Sequence, residues 1–306
     1  MILTVTPNPA LDMTYHVDSF DIGESLRVDA AKVRAGGKGI NVARVARQTG
    51  SDVLALTTAG ADTGRELADD LVASDLPHTL VPVEPATRRS IAIVDAAHGS
   101  TTIMNERGLP ISPDEWRALN TAARERMRDA RCAVGSGSLP PGMPNTFYAD
   151  LVRDAHALSI PAVIDAVGQA LMLAVQAGAD VVKPNRAELR ETTGESDPVH
   201  GARRLIQAGA RLVLVSLGED GMLAVSATAP TEVHIARLPR ALEGNPTGAG
   251  DAAVAAVAQC MASGVTDSSA LLRRATAYSA AAVLMPIAGE IADNYSELEL
   301  LLQTTL

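Results

Sequence analysis

The sequence predicts an α/β protein, with helices on both faces of a mostly parallel sheet and a small β-lid added to it. Short β-branched runs alternate with amphipathic helices along the chain, the pattern of strand–crossover–strand units. The core must be aliphatic, because 47% of the 306 residues are apolar and only 2% are aromatic. Such a composition suits helices packed on a parallel sheet. No linker or shift in composition divides the chain, so it reads as one domain over residues 1–306.

The elements follow in order. Residues 2–6 read as the first strand. Residues 39–49 read as a helix closed by Gly50, the residue best suited to a left-handed C-terminal cap. A strand at 53–59 and a helix at 62–74 come next. The helix at 113–129 opens on Ser112 with Glu115 three residues on, the spacing of a capping box. Strand 131–135, helix 145–158, strand 161–165, a short strand at 180–183, helix 199–208 and strand 211–216 continue the alternation. Helices at 251–262 and 268–284 complete it. Two segments interrupt the pattern. Residues 12–33 have weak helical periodicity. Residues 87–104 read as a hairpin, with strands 89–95 and 100–104 about a turn at Ala97-His98-Gly99. These segments, at about 12–34 and 87–106, are expected to pair as a β-lid over a site.

Acidic residues number 36 and basic residues 26, a formal charge of −10. That argues against a nucleic-acid partner, which needs a basic face. It leaves phosphate ligands open, since a few cations and backbone amides suffice for them. Cys132 and Cys260 each sit in an apolar run and read as buried thiols, which suits a reducing cytoplasm. The N-terminal Ile-Leu-Thr-Val-Thr reads as a strand rather than a secretory leader. The longest apolar stretch, 280–286, is too short to span a bilayer, so no membrane partner is expected.

Two glycine clusters carry the chemistry. Asn245-Pro246-Thr247-Gly248-Ala249-Gly250-Asp251 opens directly into an apolar helix. Its free amides and positive dipole end would face an anion. A carboxylate there, Asp251, could take a proton from an attacking hydroxyl while the amides hold a phosphoryl group. The plainer reading makes Asp251 a helix cap and the glycines a turn. In the second cluster, Gly36-Gly37-Lys38-Gly39 precedes Asn41 and another helix. A small polar ligand could lie against its backbone, touched by Lys38 and Asn41. It is not a Walker A loop, because the Gly-Lys-Ser/Thr ending is missing. The six histidines are scattered without ligand spacing.

Together these two motifs, about two hundred residues apart, resemble the signatures of the ribokinase-like (PfkB) carbohydrate kinases. Gly135-Ser136-Gly137-Ser138, Lys183-Pro184-Asn185-Arg186-Ala187-Glu188 and Ser216-Leu217-Gly218-Glu219-Asp220-Gly221 stand between them as further landmarks. Pro7-Asn8-Pro9-Ala10-Leu11-Asp12 resembles the hexose-phosphate branch. The resemblance covers essentially the whole chain. It implies a three-layer α/β/α fold with a β-lid, ATP and Mg²⁺, a sugar-phosphate substrate, and a homodimer formed through the lid. It makes Asp251 the base and Gly248, Ala249 and Gly250 the anion hole. Lys183, Asn185, Ser216, Gly218 and Gly221 fall on the nucleotide side, and Glu188 on the metal through water. Asp12, Gly37, Lys38 and Asn41 fall on the sugar, with Arg27 and Arg88 on its existing phosphate and Ser136 and Ser138 as helpers.

Within the branch, Thr87-Arg88-Arg89-Ser90-Ile91-Ala92-Ile93 and Asn245-Pro246 resemble tagatose-6-phosphate kinases more than 1-phosphofructokinases, which often carry a lysine where Ala92 stands. Asn105-Glu106-Arg107-Gly108 departs from the Pro-Gly-Pro pattern of both groups. Ser25 replaces a lysine seen in some fructose-6-phosphate kinases, and Met285 stands where an asparagine is frequent. Two functions outside the sugar-phosphate kinases are also compatible with the motifs: a silent sugar-phosphate-binding regulator and a nucleoside kinase. The intact Asp251 loop speaks against the first. The scarcity of aromatic stacking partners and the two arginines speak against the second.

Overall fold

The computed structural model describes residues 1–305. Its strands are β1 (Ile2–Thr6), β2 (Ala10–Val17), β3 (Lys32–Gly36), β4 (Val53–Ala59), β5 (His78–Pro82), β6 (Arg88–Asp95), β7 (Ser100–Asn105), β8 (Cys132–Ser136), β9 (Ala162–Asp165), β10 (Val181–Val182), β11 (Leu212–Ser216), β12 (Met222–Ser226), β13 (Ala229–Arg237) and β14 (Gln303–Thr305). Its helices are α1 (Lys38–Gln48), α2 (Ala61–Ala73), α3 (Pro113–Met127), α4 (Phe147–Ala157), α5 (Gly168–Gln176), α6 (Arg186–Thr193), α7 (Pro198–Ala208), α8 (Ala249–Ala262), α9 (Ser268–Val283) and α10 (Tyr295–Leu301).

Ten strands form the central sheet in the order β14-β13-β12-β11-β10-β9-β8-β1-β4-β5. Pairing is parallel from β11 to β5 and antiparallel from β11 to β14. Apart from the edge strand β5, the parallel strands are largely buried on both faces, which is why they read as apolar runs. Neighbours on one strand serve opposite cores, as the strand period of two requires. Ile2, Val134 and Val163 join one core with residues of α1, α8 and α9. Leu3, Ala133 and Ile164 join the other with residues of α3, α4, α5 and α7. A three-layer α/β/α arrangement with a mostly parallel sheet results, as expected.

A second, four-stranded sheet has the order β3-β2-β6-β7. Here the two segments that interrupt the alternation pair as a β-lid, as expected. Ala10–Val17 pairs in parallel with β6 over eight positions, Lys32–Gly36 returns antiparallel to it, and no helix forms between them. Cross-strand pairing outweighs a faint local pattern. The hairpin β6–β7 forms as read, with its turn between Asp95 and Ser100. The lid leaves large apolar side chains open to solvent, among them Val33, Ile103 and Met104. No helix among the described residues is long and apolar enough to cross a membrane.

Candidate active site

Both glycine clusters feed helices that end at one cavity of about 1330 Å³ between the central sheet and the lid. Gly248 is the N-cap of α8, with φ 84°, and a side chain there would press within 2.8 Å of the Ala288 Cα. Only glycine tolerates that combination of dihedral and close approach. No side chain caps α8. Asp251 therefore does not cap the helix, and its carboxylate turns to α1, accepting a hydrogen bond from Asn41 Nδ2 at 2.8 Å. Burial, with the nearby Asp165, pushes the Asp251 carboxyl up to about 7, while Lys38, the Asn41 bond and Lys183 pull it down. That value suits a general base working near neutral pH. Of the three amides expected to hold an anion, the Ala249 N–H is already donated to the Pro246 carbonyl at 3.2 Å. Gly248 and Gly250 keep theirs free of backbone partners, and Asp251 adds another. Asn245 straps this loop to the end of α9, donating to the Pro286 carbonyl at 3.0 Å and accepting from the Thr247 N–H at 3.0 Å.

A charged cluster lies beside the base. Lys38 donates to Glu188 Oε1 at 2.9 Å and to Asp165 Oδ1 at 3.4 Å. Burial works against its charge, yet Asp165, Glu188 and Asp251 together hold it protonated well above the usual lysine range. Glu188 is oriented by a capping box. Its backbone N–H donates to Asn185 Oδ1 at 2.9 Å, and its Oε2 accepts the Asn185 N–H at 2.9 Å. The ordinary helix-start reading of Asn185 and Glu188 thus holds, and the cap leaves Oε1 aimed at Lys38. Buried Lys183 lies 3.9 Å from Asp165 Oδ1, and a methyl group on Gly250 would sit 3.1 Å from its Nζ.

On the lid side, Asp12 of β2 lines the cavity. A side chain on Gly36 would collide with its carboxylate, so glycine there makes the space it occupies. Burial raises the Asp12 carboxyl to about 6, against the pull of Arg88, Arg34 and Arg44. Arg88 also lines the cavity. Its Nε and NH2 donate to the Asn8 carbonyl at 3.3 and 3.2 Å, and its NH1 to the Glu106 carbonyl at 3.1 Å. These bonds fix the guanidinium plane and leave two N–H groups uncommitted. Asn8 in turn donates to Ser138 Oγ at 3.0 Å.

Lys183, Asn185, Ser216, Gly218 and Gly221 line the same cavity, as do Gly37, Lys38, Asn41 and Ser138. The Ser216 Oγ is buried with no hydrogen-bond partner in the protein. Two expected residues are not brought in. Arg27 is exposed, in the segment between β2 and β3, and lines no part of its own chain's cavity. Ser136 is fully buried behind it and meets Asp165 Oδ2 at 3.5 Å, so it supports Asp165 rather than touching a ligand. Met285 does not line the cavity either.

Sequence reasoning missed Asp165, read only as a strand end, and also Asn8, Arg107 and Arg240, which line the cavity. The single available signal for Asp165 was a carboxylate at the C-terminal end of a parallel strand, where ligands of open α/β sheets gather. Among the described residues, no three His, Cys, Asp or Glu side chains come together as a direct metal site.

The family model described as pfkB family carbohydrate kinase matches residues 8–293. The chain belongs to the pfkB family of carbohydrate kinases. It is 31% identical over 307 residues to a tagatose-6-phosphate kinase of Staphylococcus epidermidis, covering 97% of each chain. It is 34% identical over 289 residues to a 1-phosphofructokinase of Xanthomonas campestris pv. campestris, covering 90% of this chain and 89% of the other. The crystal structure of phosphofructokinase-2 from Escherichia coli in complex with fructose-6-phosphate is similar, with a TM-score of 0.86, 28% identity and 98% of both chains covered. This pfkB kinase therefore carries the ribokinase-like α/β fold and works as an ATP-dependent carbohydrate kinase.

Proposed function

We propose that the protein transfers the γ-phosphoryl group of ATP to the free primary hydroxyl of a ketohexose phosphate, yielding a bisphosphate, with tagatose 6-phosphate as the substrate. The observation that carries this reading is a buried Asp251 carboxylate with a pKa near 7, at a free helix N-terminus, in a cavity whose other end holds Asp12 and Arg88. The hydroxyl oxygen forms a bond to the γ-phosphorus as the bond to the bridging oxygen breaks. ADP leaves, and the hydroxyl proton passes to Asp251. The free amides at Gly248 and Gly250 stabilise the charge that builds on the transferring group, aided by the dipole of α8. Asp12 accepts hydrogen bonds from sugar hydroxyls, and Arg88 binds the existing phosphate with its two uncommitted N–H groups.

Asp165 and Glu188 offer the hard oxygen donors that Mg²⁺ takes, and two carboxylates fit an ion that keeps most of its waters and shares the nucleotide's phosphates. Mg²⁺ would neutralise phosphate charge there. Lys38, held by the same two carboxylates, adds a cation beside the γ-phosphate position.

The second reading is fructose 1-phosphate, favoured by the 34% identity to the 1-phosphofructokinase. Either end of a ketohexose could occupy the Arg88 end of the cavity, so the two readings share one mechanism. Two chains are proposed to pair through the lid, which would cover Val33 and Met104, on the lid face turned away from the cavity, and give Arg27 a route to the partner's site. With Cys132 and Cys260 both unpaired, the setting is read as a reducing cytoplasm. The test is ATP consumption over tagatose 6-phosphate, fructose 1-phosphate, fructose 6-phosphate, free hexoses and adenosine. Highest kcat/KM on tagatose 6-phosphate is expected. Preference for a free hexose or adenosine would overturn the sugar-phosphate reading.

A further inference from the structure

The reaction needs two things aligned: a sugar held by the lid strands and a phosphate held by the loop at Gly248. These belong to different sheets and distant parts of the chain. One short segment, Ala288-Gly289-Glu290, touches both. Ala288 backs Gly248, lying within 2.8 Å of where a side chain there would stand. Gly289 fits against α1 so closely that a methyl group on it would meet Asn41 Oδ1 at 3.0 Å and Arg44 Cδ at 3.1 Å. Asn41 is the residue that holds the Asp251 carboxylate.

Arg34 ties the lid to this segment. It lies on β3 directly across from Asp12 on β2. Its NH1 donates to the Ala288 carbonyl at 3.1 Å and pairs with Glu290 Oε1 at 3.0 Å. It lines no part of the cavity, so it touches neither substrate. The groups around it have settled roles. Asp12 faces the sugar, Arg44 pairs with Asp70, and Glu290 balances the Arg34 charge.

We propose that Arg34 is a positioning residue that couples the two substrate sites, its bond to the Ala288 carbonyl setting the lid strands in register with the loop that holds the transferring phosphate. The proposal rests on the sugar-phosphate kinase reading. A bound sugar draws Asp12 and its strand partner β3 into place. Through Arg34 the same placement reaches Ala288, hence Gly248, and through Gly289 it reaches Asn41 and Asp251. Binding energy at one end of the cavity then sharpens geometry at the other, which is how remote contacts raise kcat. The coupling is reciprocal, so it is visible in binding alone.

The experiment measures the Kd of the imido analogue of ATP with Mg²⁺ present, without and with saturating tagatose 6-phosphate, for wild type, Arg34→Ala and Arg34→Lys. Wild-type ATP consumption on tagatose 6-phosphate is measured first. Coupled sites give a Kd ratio of about 5-fold or more in wild type. Arg34→Ala should bring the ratio below about 2 and lower kcat by about 10-fold with a smaller change in either KM. Arg34→Lys, which can still donate to the Ala288 carbonyl, should restore part of both. A mere brace would behave differently: Tm would fall while the Kd ratio stayed at the wild-type value, and that result would overturn the proposal. So would a wild-type ratio of 1. Should Arg34→Ala not fold, Arg34→Gln is read by the same ratio. An active wild type with an unchanged ratio in the variants sinks the coupling alone. A wild type inactive on every sugar phosphate sinks the functional reading with it.

Discussion

The two ends of the cavity are built by opposite means. The phosphate end is part of the core. Asp251 and Lys183 are buried, α8 is apolar from Ala252 to Ala258, and the loop before it is strapped to α9 by Asn245. The sugar end is a four-stranded sheet with β7 exposed along its length and apolar side chains open to solvent. Chemistry that depends on a shifted pKa needs the first kind of setting, since desolvation does the shifting. Admission and release of a sugar need the second, because elements that move are drawn from the less stable parts of a fold.

Substitutions at the two ends should separate this way. The largest effect is expected at the phosphate end. Asp251→Asn keeps shape and can still meet Asn41, but loses the proton acceptor, so kcat should fall by about 10²–10⁴ while Kd for the imido analogue of ATP stays within about twofold. Near-wild-type turnover would remove the base from the mechanism. At the lid end, Arg88→Ala should cost about one to two decades in kcat/KM on tagatose 6-phosphate and little on free tagatose. Equal losses on both would make Arg88 a support for Asn8 and Glu106 rather than a reader of phosphate.

Smaller effects sharpen the contrast. Placing Glu at Met104, on the exposed lid strand and outside the cavity lining, should convert a dimer to a monomer by light scattering; a wild type already monomeric at micromolar concentration would refute lid pairing. Stability should report the cost of the buried base. The Asp251 pKa is raised in the folded state, so its contribution is intact below about pH 4 and is lost as pH rises through about 7. Asp251→Asn escapes that loss. Its Tm should exceed wild type by about 2 °C or more at pH 8 and match it near pH 4, with the excess growing between those values. Equal Tm values at both pH would mean the carboxylate is not strained by burial.

How legible each part was in the sequence follows the same division. The strands β1, β4, β8, β9 and β11 and the helix α8 announced themselves through continuous apolar runs and glycine punctuation, because burial on both faces leaves little freedom in composition. The loop at Gly248 was legible for the same reason: a φ of 84° with Ala288 packed against it leaves room for glycine alone. The lid was harder. β2 carries mixed polarity, with Asp12 on the cavity, Leu11 in the core and His16 exposed, so its strand character rests on pairing with β6 rather than on its own pattern. Arg27 and Ser136 were placed by resemblance alone, and the geometry sends one outside the cavity and the other behind it. Asp165 lacked any local motif. Its role comes from three separate segments that meet only in the fold, at Lys38, Lys183 and Ser136.

The most direct test of the base is the pH dependence of kcat/KM for tagatose 6-phosphate, which reports the pKa of the free enzyme's base. With Asp251 titrating near 7, kcat/KM should fall about tenfold per pH unit well below 7 and level off above it. Lys38 helps keep that carboxyl ionised, so Lys38→Gln should move the same limb to higher pH. A kcat/KM flat from pH 5.5 to 8.5, or a limb that Lys38→Gln leaves in place, would contradict the assignment of Asp251 as the proton acceptor.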